Sequence, residues 1–343
     1  MSRPIIGAMA ILLCAAAPAA AQDDPAAFYA GKQVRIVVGI GVGSGYDLAA
    51  RTVGRHIGKH IPGKPEVIVQ NQPGAGSATM SNALYAGGPK DGTVIGAPFN
   101  GMPTIPLLTP EQARFDTLKL NWIGSANRTT QASYVWHENK TIMKMEDVLT
   151  RQFVVGSQAP GSSQHDYPVV ANDFFGTKFT VINGYESTPK IHLAMERGEV
   201  MGSASTSWST VKAITGDWIR DKKIRVIAQW GLRKHPDLAD VPLWLELAKT
   251  DAERQGIKLL IARQEYGVPY FMPPDVPKAR VQAMRRAFDA TMKDPGFIAD
   301  AEKAKMEVDP MTGEDVEKLL AELFATPPDV VARVRKILEP PKN

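Results

Sequence analysis

At 343 residues the chain is longer than a single hydrophobic core comfortably supports, so its length predicts two domains. The formal net charge is +4, and basic and acidic residues are interspersed along the chain, which argues against nucleic acid as a partner. Cys14 is the only cysteine, so a framework of intramolecular disulfide bonds is excluded.

The first residues predict export. A short basic start precedes an apolar run that is too short to span a bilayer, and small residues at Ala19 and Ala21 mark a cleavage site. We therefore expect residues 1–21 to be a signal peptide, cleaved after about Ala21, and the mature chain to be periplasmic. Cys14 lies inside this segment behind the large Leu13, which argues against a lipid anchor. The mature chain then has no thiol for a metal site or a nucleophile.

Strands and helices alternate in two series after the leader. The first series predicts strands at residues 34–38, 67–69 and 94–96, with helices at 47–60 and 77–86. The second predicts strands at 153–155, 179–182, 200–204 and 224–228, with helices at 163–175 and 189–197. Amphipathic helices at 278–292 and 313–323 close the chain. Such alternation is typical of right-handed βαβ crossovers and a mainly parallel sheet.

The second series is predicted to be an insertion in the first. We expect one lobe to contain residues 22–100 and 230–343, and the other to contain residues 101–229. The chain would then cross between the lobes near residues 100–101 and 229–230, and a hinge is expected there. The sequence leaves undecided to which of the two lobes the C-terminal helices belong.

Four glycines crowd the segment 39–47, between the first predicted strand and the first helix. Glycines allow a ligand to approach the backbone closely, and the free amides at a helix start favour an anion. The dinucleotide pattern fails because Ser44 and Tyr46 stand where glycine is required, and no P-loop lysine or nucleophile elbow is present. We interpret the loop as an anion-binding wall. The alternative is that the glycines only shape a tight turn and Asp47 only caps the helix.

Four sequence blocks occur in order: GSGYDLAAR (43–51), HIPG (60–63), VIVQNQPGAGS (67–77) and PKDGTVIG (89–96). Their order and spacing resemble those of the substrate-binding receptors of tripartite tricarboxylate transporters, the Bug family. The resemblance extends more loosely over nearly the whole mature chain. It departs at Glu186, where the family often has a basic residue, and at the proline that usually precedes the first glycine pair.

The resemblance implies a type II periplasmic-binding-protein fold, with two α/β lobes and a ligand cleft between them. It implies a small carboxylate held by backbone amides, small hydroxyl side chains and water. One wall of the site would be Gly43, Ser44, Gly45, Tyr46 and Asp47, and the other Ser157, Gly161, Ser162 and Ser163, with His165, Tyr185 and Ser205 as further candidates. Neutral donors suffice for micromolar binding, so an arginine clamp is not required.

The sequence therefore predicts a monomeric solute-binding protein without cofactor or metal, and not an enzyme. Its ligand would be a di- or tricarboxylate, an aromatic acid or an amino acid, delivered to the permease subunits in the membrane. A receptor that presents its ligand to a sensor kinase shares this fold, so this function remains an alternative. An exported hydrolase using Ser44 or His165 lacks a recognisable general base. His56 and His60 lie on one helix face but have no acidic third ligand nearby, which favours a solvated face.

Overall fold

A computed structural model describes residues 24–339 of the chain. The expected signal peptide, residues 1–21, lies outside the described residues together with its cleavage site and Cys14. Inside the described range, none of the helices has both the length and the apolar character needed to cross a membrane.

Strands and helices follow one another through the described chain. The strands are β1 (Gln33–Val38), β2 (Glu66–Asn71), β3 (Val94–Ala97), β4 (Asn121–Ser125), β5 (Gln131–Trp136), β6 (Phe153–Gly156), β7 (Phe179–Ile182), β8 (Gly202–Ser207), β9 (Ile224–Trp230), β10 (Pro269–Met272) and β11 (Met311–Thr312). The helices are α1 (Pro25–Tyr29), α2 (Gly45–Ile57), α3 (Ala78–Gly87), α4 (Ile105–Leu108), α5 (Ser163–Phe175), α6 (Thr188–Glu196), α7 (Trp208–Arg220), α8 (Asp251–Ile261), α9 (Lys278–Met292), α10 (Pro295–Lys303), α11 (Gly313–Phe324) and α12 (Pro328–Leu338).

The strands form two sheets, each the centre of one lobe. In the described part of the chain the first sheet has the order β11, β4, β10, β3, β1, β2 and the second has the order β7, β6, β8, β5, β9. Parallel pairs join β1 to β2 and β3, and β6 to β7 and β8, as the βαβ pattern predicts. Both sheets are mixed rather than mainly parallel, because β10 runs antiparallel to β3 and β4, and β5 runs antiparallel to β8 and β9.

Strand β1 shows why the first sheet is covered on both faces. Val34, Ile36 and Val38 are buried in a core that α2 and α9 share. Val37 points to the opposite face and is buried in a second core, which includes Met80 of α3. A nearly continuous run of β-branched residues is what a strand buried on both faces requires.

Two short segments carry the chain between the sheets, and they pair with each other. The first, residues 126–130, joins β4 to β5, and the second, residues 264–268, leads into β10. The amide of Ala126 donates to the carbonyl of Val268 at 3.0 Å, and the amide of Thr129 donates to the carbonyl of Gln264 at 2.8 Å. Paired crossing segments of this kind are suited to act as a hinge.

These crossings lie elsewhere than the boundaries expected from the sequence, near residues 100–101 and 229–230. Residues 101–120 form short turns and α4, which lead into β4 of the first sheet. After β9 the chain stays with the second sheet, where Trp244 stacks on Trp230 at 5.0 Å between ring centroids. The cause of the difference is long-range pairing, because β4 joins the first sheet through β10 and local patterns do not reveal that contact.

The C-terminal helices divide between the lobes. Helices α9 and α11 pack on β4, and α10 packs on α2 of the first lobe. Helix α12 packs instead on α5 and α8, with Val331 and Val334 buried, and Arg333 forms an ion pair with Asp173 of α5. The described chain therefore ends against the second lobe, after α9, α10 and α11 have packed on the first.

Candidate functional site

A cleft of about 520 Å³ lies between the two lobes. Both lobes and both crossing segments contribute to its lining. The lining residues are Gly45, Tyr46, Leu48, Ala49, Phe99, Asn100, Asn127, Thr129, Gln131, Gly161, Ser162, Ser163, Ser207, Ser209, Thr210, Arg263, Gln264, Gly267, Val268, Ala304, Lys305, Met306 and Glu307.

The first wall is the N-terminus of α2. Ser44 caps the helix, since its hydroxyl accepts a hydrogen bond of 3.2 Å from the amide of Asp47. Gly45 and Tyr46 occupy the first two helical positions and line the cleft. Their amides have no hydrogen-bond partner among residues 24–339, as is usual for the first turn of a helix. This wall therefore offers two backbone donors to a ligand.

Asp47 lies beneath this loop and does not line the cleft, in contrast to the expectation from the sequence. Its carboxylate accepts hydrogen bonds of 2.9 Å from the amide of Gly43 and from Nδ2 of Asn71, and it forms an ion pair with Arg51. Burial alone would raise the pKa of Asp47, but these hydrogen bonds hold the pKa below its ordinary value. Asp47 therefore stabilises the loop that presents Gly45 to the cleft. Gly43 and Ser44, which were also predicted to contact the ligand, do not line the cleft either.

The second wall is the N-terminus of α5. Ser162 is the N-cap residue, and Ser163 occupies the first helical position. The amides of Ser163 and Gln164 have no partner within residues 24–339. The amide of Gly161 donates to Oδ1 of Asp166 at 2.9 Å, so a glycine and an aspartate brace this loop as they brace the first one.

The hydroxyl groups of the second wall differ in their availability. Ser162 donates to the carbonyl of Ala159 at 2.6 Å and lies 3.4 Å from the hydroxyl of Ser157. Ser157 itself is fully buried and does not line the cleft. The hydroxyl of Ser163 has no hydrogen-bond partner among the described residues, so it can donate to a ligand.

The two facing helix ends make the cleft attractive to an anion. Each contributes partial positive charge and amides that point away from its own helix. A Cβ atom built at Gly45 or Gly161 meets no other atom within 4 Å, so both loops border open space. The N-termini of α2 and α5 therefore border the same cleft, and joint binding of a ligand by the two loops stays a prediction.

The remaining predicted candidates do not line the cleft itself. His165 places Nδ1 3.1 Å from Oδ1 of Asp166. Tyr185 packs against the core of the second lobe, and burial raises its pKa. Ser205 is buried and lines a smaller adjoining pocket of about 180 Å³, with Oγ 3.5 Å from Oε1 of Gln131.

Sequence reasoning missed the polar floor of the cleft, which is formed by residues at the ends of the crossing segments and by Tyr167 of α5. Nε2 of Gln131 donates to Oε1 of Gln264 at 3.2 Å, and Nε2 of Gln264 donates to the hydroxyl of Tyr167 at 2.6 Å. The side chain of Arg263 joins this network, since its Nε donates to the same hydroxyl at 3.1 Å. These residues come from three separate stretches of sequence and form no local motif.

An aromatic pair stands beside the first wall. The rings of Tyr46 and Phe99 meet edge to face, with centroids 5.5 Å apart. Burial raises the pKa of Tyr46 to about 12, and its hydroxyl accepts a hydrogen bond of 3.4 Å from the amide of Asn100. Tyr46 is therefore a neutral phenol at physiological pH. With Val268 and Met306, the pair gives the cleft an apolar side.

An ion pair joins the two lobes beside the cleft. Nζ of Lys212, on α7 of the second lobe, lies 3.2 Å from Oε1 of Glu307, which follows α10 in the first lobe. The same Nζ lies 2.9 Å from Oδ2 of Asp237. The Nε1 of Trp208 also donates to that carboxylate, so this indole points away from the cleft.

The two histidines serve structural contacts, but they do not share one helix, because α2 ends at Ile57. His56 on α2 lies 2.9 Å from a carboxylate oxygen of Asp300 on α10, and His60, beyond the end of α2, lies 2.8 Å from one of Asp294, the N-cap residue of α10. Over the part of the chain that the structure describes, no group of three or more histidine, cysteine or acidic side chains is placed to hold a metal ion.

Solved structures of solute-binding proteins share this fold. A TctC solute binding protein from Polaromonas matches with a TM-score of 0.69 at 18% identity, over 90% of this chain and 99% of that chain. The periplasmic binding protein BugD matches with a TM-score of 0.57 at 17% identity, over 90% of this chain and 98% of that chain. MatC from Rhodopseudomonas palustris, solved with bound malate, matches with a TM-score of 0.56 at 14% identity, over 90% of this chain and 99% of that chain.

These likenesses establish the fold. The chain has the type II periplasmic-binding-protein fold with two α/β lobes, and the fold class expected from the sequence is confirmed. The structural neighbours include TctC and BugD proteins, the group that the sequence blocks resemble. No family model matches the sequence. No curated protein matches it either.

Proposed function

We propose that the protein is a periplasmic solute-binding protein that captures a small carboxylate in the cleft between its lobes. The observation that carries the proposal is the pair of facing helix N-termini, each with two amides that have no partner among residues 24–339. A carboxylate has two oxygens that accept hydrogen bonds from such amides, and its charge is complementary to both helix dipoles.

The solved structures of similar fold support a carboxylate as the ligand. MatC is solved with malate, and another R. palustris protein, with a TM-score of 0.57 at 16% identity, is solved with adipate. Each hydrogen bond from a neutral donor to a charged acceptor contributes about 1.5–3 kcal/mol. Four such bonds sum to about 6–12 kcal/mol, and after an association cost of at least about 4 kcal/mol the upper end of this range reaches micromolar affinity, about −8 kcal/mol.

Capture in this proposal closes the lobes. The paired crossing segments, residues 126–130 and 264–268, act as the hinge, and the ion pair between Lys212 and Glu307 holds the lobes together. The closed protein then delivers its ligand to the permease subunits of a tripartite tricarboxylate transporter, the partner that the sequence resemblance implies. It works as an exported monomer.

The arrangement does not support catalysis by the candidate serine. The hydroxyl of Ser44 accepts a hydrogen bond from the amide of Asp47, and neither Ser44 nor His165 lines the cleft. A serine nucleophile needs a base within hydrogen-bond reach and a group that orients that base. The proposal is therefore binding without turnover.

Thermal-shift screening of the mature protein against a library of carboxylates tests the proposal, because a ligand stabilises the native state by mass action. Hits are then measured by calorimetry, and the recovered ligand is checked for chemical change. We expect micromolar binding of an unaltered carboxylate. Failure of every carboxylate to raise the melting temperature, or conversion of the ligand, would contradict the proposal. Uptake into proteoliposomes that hold the permease subunits tests delivery, and it should depend on added protein.

A further inference from the structure

The floor of the cleft carries a fixed positive charge at Arg263. This residue lies in the turn Ala262–Gln264, immediately before the second crossing segment, and it lines the cleft. Its main-chain carbonyl accepts a hydrogen bond of 3.1 Å from Nδ2 of Asn100 in the first lobe. The backbone at this point is therefore held at the junction of the two lobes.

Tyr167 holds the guanidinium group in place. Nε of Arg263 donates to the hydroxyl of Tyr167 at 3.1 Å, and the guanidinium carbon lies 5.1 Å from the centre of the ring. Gln264 donates to the same hydroxyl oxygen, so the position of that oxygen is fixed from two sides. The two terminal nitrogens of Arg263 have no hydrogen-bond partner among residues 24–339, and the residue lines the cleft.

The charge of Arg263 has no carboxylate partner within ion-pairing distance among residues 24–339. Asp166 attracts it electrostatically, but the carboxylate of Asp166 is engaged by the amide of Gly161 and by His165. A partly buried cation without a counter-ion is costly unless an anion fills the site. Glu307, the acid that lines the cleft, is already paired with Lys212.

We propose that Arg263 binds a second anionic group of the ligand, so that the cleft selects dicarboxylates over monocarboxylates. One carboxylate lies at the N-termini of α2 and α5, and the other meets the fork of the guanidinium group, whose geometry matches a carboxylate. The apolar side formed by Tyr46, Phe99 and Val268 faces the hydrocarbon that separates the two groups. This specificity rests on the proposed function, since it assigns the second end of the same ligand.

The test compares matched acids on matched variants. The dicarboxylates are succinate, adipate and terephthalate, and the monocarboxylates of similar frame are butyrate, hexanoate and benzoate. Calorimetry on the mature protein should show tighter binding of at least one dicarboxylate than of its monocarboxylate partner. Arg263→Gln should weaken that dicarboxylate by about tenfold to hundredfold, the range for a charged hydrogen bond, and should leave the monocarboxylate nearly unchanged. Arg263→Lys should recover part of the loss.

Arg286→Gln on the exposed face of α9 removes an arginine far from the cleft and should match the parent protein. Thermal unfolding of each variant without ligand shows that it is folded. Tyr167→Phe, which removes the hydroxyl that holds Arg263, should reproduce part of the selectivity loss if Arg263→Gln fails to fold. Equal loss for both classes of acid, or no loss, overturns the inference and leaves the proposed function standing. Failure of the parent to bind any of the six acids overturns the inference, whereas the proposed function falls only if no acid of the wider carboxylate library binds.

Discussion

The carboxylate of Asp47 accepts a hydrogen bond of 2.9 Å from the amide of Gly43, four residues earlier in the chain. Gly43 has a φ angle of +82°, a backbone conformation that favours glycine, and the bond to Asp47 fixes it there. In the second lobe Gly161, with a φ angle of +89°, donates in the same way to Asp166. In each loop a buried aspartate therefore fixes the backbone from the side away from the cleft, and the side towards the cleft is unobstructed.

The first prediction concerns this support of the loop. Asp47→Asn keeps one oxygen for Gly43 but places an amide group against two donors, Arg51 and Nδ2 of Asn71. We expect a loss of about 1–3 kcal/mol in the free energy of unfolding, together with weaker ligand binding. Urea unfolding and calorimetry measure the two effects.

A matched control for this change is Asp289→Asn on α9. The pKa of Asp289 is raised by burial and by Glu314, so its charged form is disfavoured in the folded protein. This variant should be neutral or slightly stabilising, with unchanged binding. If Asp47→Asn behaved like the control, the loop would not depend on the carboxylate.

The second prediction separates a binding glycine from a structural one. Gly45 lies outside the left-handed region, and a Cβ atom there meets no atom within 4 Å, so Gly45→Val should fold with a melting temperature close to that of the parent. The branched side chain would stand in the cleft beside the free amides. We expect affinity to fall by more than about tenfold, with a smaller loss for Gly45→Ala. Normal binding by the folded valine variant would remove this loop from the site.

The local pattern was enough to predict the elements that carry the two walls. Helix α9, residues 278–292, begins and ends where its pattern predicts, and α2 and α5 begin within two residues of the prediction. A glycine-rich loop before an apolar helix is a short-range feature, so it can be read from adjacent residues. Strands β4, β5 and β10 were missed because their stability depends on pairing between distant segments.

The role of each residue in the walls could not be predicted from spacing alone. Gly39 is required by a close approach, since a Cβ atom there would lie 2.5 Å from Cβ of Ser77, whereas Gly45 borders open space. Asp47 and Ser44 were assigned to the ligand, although both satisfy groups of their own loop. Arg263 was missed because its position in the cleft depends on where α8 and the second crossing segment pack.

The third prediction uses the two adjacent serines of the second wall. Ser162 already donates its hydroxyl hydrogen to the carbonyl of Ala159, whereas the hydroxyl of Ser163 has no partner in the described chain. Ser163→Ala should therefore weaken carboxylate binding by about tenfold, and Ser162→Ala by less than about threefold. Calorimetry with one cognate acid ranks the two variants. The opposite order would show that Ser162 turns its hydroxyl towards the ligand.

The last prediction concerns acid stability and His192, which is buried in the second lobe. Nε2 of His192 lies 2.6 Å from the hydroxyl of Tyr134, and the imidazole packs against Trp218 at 4.9 Å between centroids. Burial lowers the pKa of His192 from 6.5 to about 4. Between these values the unfolded chain binds a proton that the native protein does not bind, so the free energy of unfolding should fall as the pH falls from 6.5 towards 4.

One proton limits this contribution to a slope of at most about 1.4 kcal/mol per pH unit. His192→Gln cannot titrate, so its free energy of unfolding should decline less steeply than that of the parent over the same pH window, whatever its stability at neutral pH. Urea unfolding at a series of pH values measures both slopes. His137→Gln, which removes a histidine outside this buried contact, is the matched control. Parallel curves for the parent and His192→Gln would mean that His192 titrates alike in the folded and unfolded chains, and that another group causes the loss of stability in acid.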